Sequence, residues 1–131
     1  MSETSQPNRV LVIDDNRDAA NSLAILLRVW GYDVRVAYSG PEGLEAARAL
    51  RPNCILSDIG LPGIDGYHLA ELLRQDESLS NVPLIALTAY SEPDKAKAAG
   101  FDEHLVKPAD LSALQDLLRK LVVMDTRLDQ A

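Results

Sequence analysis

Five short apolar segments alternate with five segments of helical periodicity along this chain, and no other feature restricts its fold as strongly. The apolar segments cover residues 10–13, 34–36, 54–56, 84–87 and 105–106. Most are continuous runs typical of strands covered on both faces, whereas Val34 and Val36 alternate with polar neighbours, as in an edge strand. Because strands joined by helical crossovers run parallel, the alternation predicts an α/β domain with one parallel sheet and helices on both faces.

The intervening segments repeat apolar residues every three to four positions, which is typical of amphipathic helices. The predicted helices cover residues 19–30, 41–50, 67–73, 91–99 and 111–121. The fourth is the weakest, because its apolar residues are all alanines and Pro93 restricts where it begins. A helix of this length is marginal without good packing. We therefore expect the fourth helix to be short or irregular.

Size and composition indicate one soluble domain. The chain has 131 residues, of which 47% are apolar and 25% are charged. We place the domain at residues 9–123, between a flexible leader at residues 1–8 and a polar tail at residues 124–131. The net charge of −7 opposes binding to nucleic acid. Cys54 lies in an apolar run and cannot form an internal disulfide, and no secretory or membrane-spanning segment is visible. We expect a cytoplasmic protein without membrane insertion.

Polar residues follow the predicted strands at their carboxyl ends, the edge at which parallel α/β sheets bind ligands. They are Asp14, Asp15, Asp58, Thr88 and Lys107. Taken singly, each has an ordinary explanation as a helix cap, a turn residue or a solvated loop residue. Three carboxylates that share one edge repel each other unless a cation or a proton intervenes, and hard oxygen ligands favour Mg²⁺ or Mn²⁺. The set predicts a metal site where a carboxylate takes a phosphoryl group, whose oxygens the ammonium and hydroxyl groups hold.

These residues and their neighbours resemble the receiver domain of bacterial two-component response regulators over residues 10–122. The motifs that carry the resemblance are Asp14-Asp15, Asp58 followed by Leu61-Pro62-Gly63 and Asp65-Gly66, Thr88-Ala89, and Lys107-Pro108. The resemblance implies a flavodoxin-like, doubly wound sheet of five parallel strands in the order 2-1-3-4-5. It also implies phosphorelay signalling, with a histidine kinase or a histidine phosphotransfer domain as partner, an unknown downstream protein, and a monomeric or weakly dimeric state.

The resemblance assigns a chemical role to five residues at the predicted site. Asp58 resembles the phosphoacceptor, and Asp15 resembles a direct ligand of Mg²⁺, or of Mn²⁺ in its place. Asp14 would act mainly through metal-bound water, and Gly60 would add its backbone carbonyl to the metal. Lys107 would pair with Asp58 or with its phosphate.

The resemblance also implies a switch that reports phosphorylation. Thr88 would move its hydroxyl toward the phosphate, and the peptide bond before Pro108 would be cis. His104 stands where the family usually has Tyr or Phe, and we expect a solvated imidazole, with an inward-moving ring or a pH-sensitive group as alternatives. Tyr90 could then serve as the aromatic reporter. Together with Ala89, these residues form the predicted switch and partner surface, in a stretch about one helical turn shorter than in typical members.

Several other functions compete with this interpretation. The chain could be the receiver module of a hybrid histidine kinase, or a docking module that has lost its chemistry. A phosphohydrolase that works through an aspartyl-phosphate would have an Asp-x-Asp motif, which the adjacent pair Asp14-Asp15 does not form. In a flavin carrier of the same topology, Asp14-Asp15 would repel the phosphate of the flavin. We expect no enzymatic activity beyond the chain's own phosphorylation and dephosphorylation. His68 is predicted to be a surface residue of the third helix.

Overall fold

The computed structural model describes residues 8–89 and 92–130, with side chains through residue 122. Five strands are present: β1 Arg9–Ile13, β2 Asp33–Ala37, β3 Cys54–Asp58, β4 Leu84–Thr88 and β5 Glu103–Val106. Five α-helices alternate with them: α1 Arg17–Val29, α2 Gly40–Leu50, α3 Gly66–Gln75, α4 Pro93–Ala99 and α5 Leu111–Gln130. A 3-10 helix, Glu77–Leu79, stands between α3 and β4 and has no counterpart in the sequence-based prediction.

The strands form one parallel sheet in the order β2-β1-β3-β4-β5. This confirms the predicted doubly wound, flavodoxin-like topology and places β2 at an edge. The register sets Ile13 opposite Ser57, Asp58 opposite Leu87 and Thr88 opposite Val106. Because all strands point the same way, the residues at their carboxyl ends meet at one edge of the sheet.

Alternating side chains of the strands fill two cores, one on each face of the sheet. Leu11 and Ile13 of β1 face a core shared with α2, α3 and α4. Val10 and Val12 face the core shared with α1 and α5, which also buries Cys54 completely. The cysteine is thus a packing residue, as its apolar neighbours predict.

The helices differ from the prediction mainly at their ends. The fourth helix spans only the seven residues of Pro93–Ala99, which confirms that it is short. The last helix continues to Gln130, through most of the segment assigned to a polar tail. Of the predicted leader, residues 1–7 lie outside the described part of the chain. Among the described residues, no helix is both long and apolar enough to cross a lipid bilayer.

Candidate functional site

Three charged side chains meet at the carboxyl edge of the central strands. The ammonium nitrogen of Lys107 lies 3.1 Å from Asp14 Oδ2 and 3.3 Å from Asp58 Oδ2. Asp14 follows β1, Asp58 ends β3 and Lys107 follows β5. The sequence-based prediction paired Lys107 with Asp58, and the structure adds Asp14 as a second partner.

Backbone amides hold the two carboxylates in place. Asn16 donates its backbone N–H to Asp14 Oδ1 at 3.0 Å, and Gly60 donates its N–H to Asp58 Oδ1 at 3.2 Å. In both carboxylates the other oxygen faces Lys107. The side chain of Asn16 caps α1 by accepting the N–H of Ala19. Asn16 is therefore the N-cap residue of α1.

Burial changes the pKa values of the charged groups at the site. The side chains of Asp14 and Asp58 are only 5% and 14% exposed, whereas Lys107 is 33% exposed. Burial raises the pKa of Asp58, although the Gly60 N–H and the charge of Lys107 act in the opposite direction. Burial alone would lower the pKa of Lys107, but the hydrogen bond and charge of Asp14, together with Asp58, hold it above its usual value. Lys107 is thus a cation at neutral pH, between two carboxylates.

The carboxylates form a group that fits a divalent cation. One oxygen each from Asp14, Asp15 and Asp58 lies within 4.8 Å of the others. Asp15 is exposed, so one side of the group is open to water. Carboxylate oxygens with room for water ligands suit Mg²⁺ or Mn²⁺. The donor set therefore fits the predicted cofactor, while the carbonyl of Gly60 stays a predicted ligand.

We predict that Mg²⁺ stabilises the fold through this group. At ten times its dissociation constant, a ligand that binds only the folded state adds about 1.4 kcal/mol to the free energy of unfolding. Urea unfolding in Mg²⁺ and in EDTA measures this gain. Asp15→Asn should lose most of it, whereas Asp33→Asn, an exposed residue at the amino end of β2, should keep it. An equal gain in both variants would place the metal elsewhere.

A cleft of about 420 Å³ opens above Asp58 and brings five of the predicted site residues together. It is lined by Asp58, Ile59, Gly60, Tyr67, Thr88, Ala89, Glu92 and Lys107. Sequence reasoning missed Tyr67 and Glu92. Their signal was available, since Tyr67 lies in the first turn of the helix after β3 and Glu92 follows β4, so both lie near the carboxyl edge.

The predicted switch residues occupy different surroundings. Thr88 is 7% exposed at the end of β4, and its backbone carbonyl accepts the N–H of Lys107 at 2.7 Å. His104 is half-buried on β5 and lines a shallow groove with Pro93 of α4, outside the cleft above Asp58. The solvated state of its imidazole stays a prediction.

Two further predictions concern the loops that flank the switch residues. The peptide bond between Lys107 and Pro108 is cis, as predicted. Tyr90, the predicted aromatic reporter, lies outside the described residues. His68 is exposed on α3, as predicted, and its backbone N–H donates to the capping side chain of Asp65 at 2.9 Å.

Comparison with known sequences finds the same family that the motifs resemble. Residues 10–119 match the family described as the response regulator receiver domain. The chain is 35% identical over 126 residues to the DNA-binding dual master transcriptional regulator RpaA of Synechocystis sp., covering 94% of this chain and 52% of that protein. It is 38% identical over 103 residues to the DNA-binding response regulator MtrA of Mycobacterium tuberculosis, covering 76% of this chain and 44% of that protein. The chain thus spans about half of each relative.

Solved structures share the same architecture. The chemotaxis protein CheY4 of Vibrio cholerae superposes with a TM-score of 0.83 at 28% identity, covering 88% of this chain and 99% of that one. The receiver domain of a sensor histidine kinase from Pseudomonas aeruginosa gives 0.82 at 30% identity, covering 89% and 98%. In that structure a magnesium ion is coordinated in the active-site cleft.

Proposed function

Because the chain belongs to the response regulator receiver domain family, we propose that Asp58 accepts a phosphoryl group from the phosphohistidine of a partner protein. Membership makes the chain a module of phosphorelay signalling in a two-component system. One observation carries the assignment of Asp58. Its carboxylate lies 3.3 Å from the ammonium of Lys107 on the wall of a cleft that also contains Thr88.

The proposed reaction moves a phosphoryl group from nitrogen to oxygen. A carboxylate oxygen of Asp58 forms a bond to phosphorus while the bond between phosphorus and the partner's imidazole nitrogen breaks. The imidazole leaves with the electron pair of that bond and takes up a proton. Lys107 would hold a phosphoryl oxygen through a charge-assisted hydrogen bond, and the hydroxyl of Thr88 would hold another. Both groups act on charge that grows during transfer, so they favour the transition state.

Receiver domains bind Mg²⁺ in an acidic site, and the acidic group of this chain fits that ion. Asp14, Asp15 and Asp58 would hold it, with the backbone carbonyl of Gly60 as a further ligand. A bound divalent cation would neutralise charge on the phosphoryl oxygens and so lower the repulsion that Asp58 meets.

The proposed output is a change of the surface around the loops after β4 and β5. Movement of Thr88 toward the phosphate would pull on Ala89, and Tyr90 is the aromatic residue that we expect to report this movement. Pro108 and His104 border the same region from the side of β5. A partner protein that binds this surface would then distinguish the phosphorylated state.

The proposed partners are proteins. Receiver domains exchange phosphoryl groups with histidine kinases or histidine phosphotransfer proteins, and we assign such a partner to this chain. RpaA and MtrA are described as DNA-binding, but this chain matches only about half of each. Its net charge of −7 opposes contact with a phosphate backbone. We propose a cytoplasmic module whose covalent chemistry is limited to its own phosphorylation and dephosphorylation.

The test is direct phosphorylation of the purified chain. Incubation with Mg²⁺ and acetyl phosphate, followed by mass spectrometry of the intact chain and its peptides, should show one phosphoryl group on the peptide that contains Asp58. EDTA should suppress the gain in mass. A chain that gains no phosphoryl mass, or gains it on another residue, would contradict the assignment. Many turnovers of phosphate release from a phosphoester would favour a phosphohydrolase.

A further inference from the structure

Glu92 brings an additional carboxylate to the cleft that contains Asp58. It directly precedes α4, is exposed to solvent, and lines the same cleft as Thr88 and Lys107. An incoming phosphoryl group is an anion, so a carboxylate at the entrance opposes its approach. The position of Glu92 therefore suggests control of which donors enter.

A contact with α3 positions this carboxylate. The hydroxyl of Tyr67 donates to Glu92 Oε1 at 3.1 Å. Tyr67 lies in the first turn of α3 and itself lines the cleft, and the ammonium of Lys95 lies 4.6 Å from the centre of its ring. Burial, followed by the hydrogen bond and charge of Glu92, raises the pKa of Tyr67. The hydroxyl thus stays protonated at neutral pH and remains a donor.

We propose that Glu92 is a specificity-determining residue of this cleft, whose carboxylate lowers the rate at which free dianionic phosphodonors phosphorylate Asp58. The inference rests on the proposed function of Asp58. A partner protein brings its phosphohistidine with binding energy from the rest of its surface, which offsets the repulsion. A small donor has no such compensation. For an exposed charge near a dianion, we expect an effect of about two- to five-fold at low ionic strength.

Two donors of different charge isolate the effect. With acetyl phosphate, an oxygen of Asp58 bonds to phosphorus, the phosphorus–oxygen bond to the acetyl group breaks, and acetate leaves with the electron pair. With phosphoramidate, the phosphorus–nitrogen bond breaks and the nitrogen leaves as ammonia. Acetyl phosphate is a dianion at neutral pH, and phosphoramidate carries one negative charge fewer. Repulsion by Glu92 should therefore slow acetyl phosphate more.

The experiment compares initial rates of phosphorylation of the full chain in Mg²⁺, with both donors. Glu92→Gln removes the charge but keeps an acceptor for the hydroxyl of Tyr67. It should raise the rate with acetyl phosphate about three-fold at low salt, raise the rate with phosphoramidate less, and have little effect in 1 M salt, where screening is nearly complete. Tyr67→Phe, which releases the carboxylate from its position, should give a smaller increase. The control Glu77→Gln changes an exposed carboxylate on the 3-10 helix before β4, at the opposite edge of the sheet.

The outcomes separate this inference from the function on which it rests. Equal rates for the wild type and Glu92→Gln would overturn the role of Glu92 while leaving Asp58 as acceptor. An equal increase in Glu77→Gln would also overturn it, because net charge rather than position would then be responsible. A wild-type chain that neither donor phosphorylates would refute the proposed function itself, and the inference with it.

Discussion

Asp58→Asn should abolish stable phosphorylation and, in the same sample, make the metal-free fold more stable. The loss follows because an amide oxygen is a poor nucleophile and forms no acyl phosphate. The gain follows from the charges around Asp58, two carboxylates within 4.8 Å and one ammonium at 3.3 Å. At an effective dielectric of about 20, each repulsion costs about 3.5 kcal/mol and the attraction contributes about 5 kcal/mol. The balance predicts a gain of about 2 kcal/mol in the free energy of unfolding.

The pH dependence of this gain gives an independent check. Burial raises the pKa of Asp58 in the folded state, so the folded chain binds its proton more tightly than the unfolded chain does. Below the ordinary Asp pKa of about 3.9 the group is protonated in both states and costs nothing. As the pH rises through the folded pKa, the ionised carboxylate lowers stability. The advantage of Asp58→Asn in EDTA should therefore be present at neutral pH and vanish in acid.

Intact-mass spectrometry and urea unfolding measure the two effects of Asp58→Asn. Asp116→Asn removes an exposed carboxylate from α5 and serves as the matched control, with phosphorylation retained and stability nearly unchanged. Phosphorylation of Asp58→Asn at the wild-type rate would move the acceptor to another residue. A less stable Asp58→Asn would mean that Lys107 outweighs the repulsion between the carboxylates.

The sheet and the main site residues could be predicted because their signals are local. Short runs of β-branched residues between helical segments indicate parallel strands. In such a sheet the residue after each strand has only one edge to occupy, so the positions of Asp14, Asp58, Thr88 and Lys107 follow from the topology. Sequence resemblance added the strand order, which periodicity alone leaves open.

Other features depend on contacts between distant segments and have no local signal. Arg74 donates to the backbone carbonyls of Leu79, Ser80, Val82 and Gly100 and to the carboxylate of Asp102. The same carboxylate accepts the N–H of Leu84 at the start of β4. This network joins the end of α3 to the loop between α4 and β5. An arginine near the end of a helix predicts at most an interaction with the helix dipole, so its several partners become visible only in three dimensions.

The different environments of Asp14 and Asp15 could not be predicted from the sequence either. In the sequence they are adjacent and chemically identical. In the structure Asp14 is buried against Lys107, whereas Asp15 faces solvent. Successive residues at the end of a strand point in different directions. Which of the two turns toward Lys107 depends on how the chain enters α1.

Gly66→Ala should destabilise the fold by about 3 kcal/mol and slow phosphorylation of Asp58, although alanine is the better helix former. Gly66 is the first residue of α3, and its N–H donates to the carbonyl of Ile59 at 2.8 Å. A Cβ atom at this position would lie 2.5 Å from the Cα of Ile59 and 2.6 Å from the backbone oxygen of Asp58. Both contacts are with backbone, which cannot move aside as the end of a flexible side chain can.

Two opposing effects decide the sign of this change. Replacing glycine by alanine within a helix is ordinarily worth about 1 kcal/mol in favour of folding. Overpacking typically costs about 1–3 kcal/mol and occasionally more. Here the clash is with the segment that positions the acceptor, so relief of strain has to displace either α3 or Asp58. We therefore expect the clash to win, and the rate of phosphorylation to fall along with the stability.

Gly60→Ala is the matched control for stability, because it lies in the same loop and an added Cβ would meet no atom within 4 Å. It should be neutral or slightly stabilising, since alanine restricts the unfolded chain. Urea unfolding of both variants, with initial rates measured for Gly66→Ala, makes the comparison. If Gly66→Ala were as stable as the wild type, α3 would be free to shift relative to β3. The short distance between them would then no longer explain why Asp58 is held against Lys107.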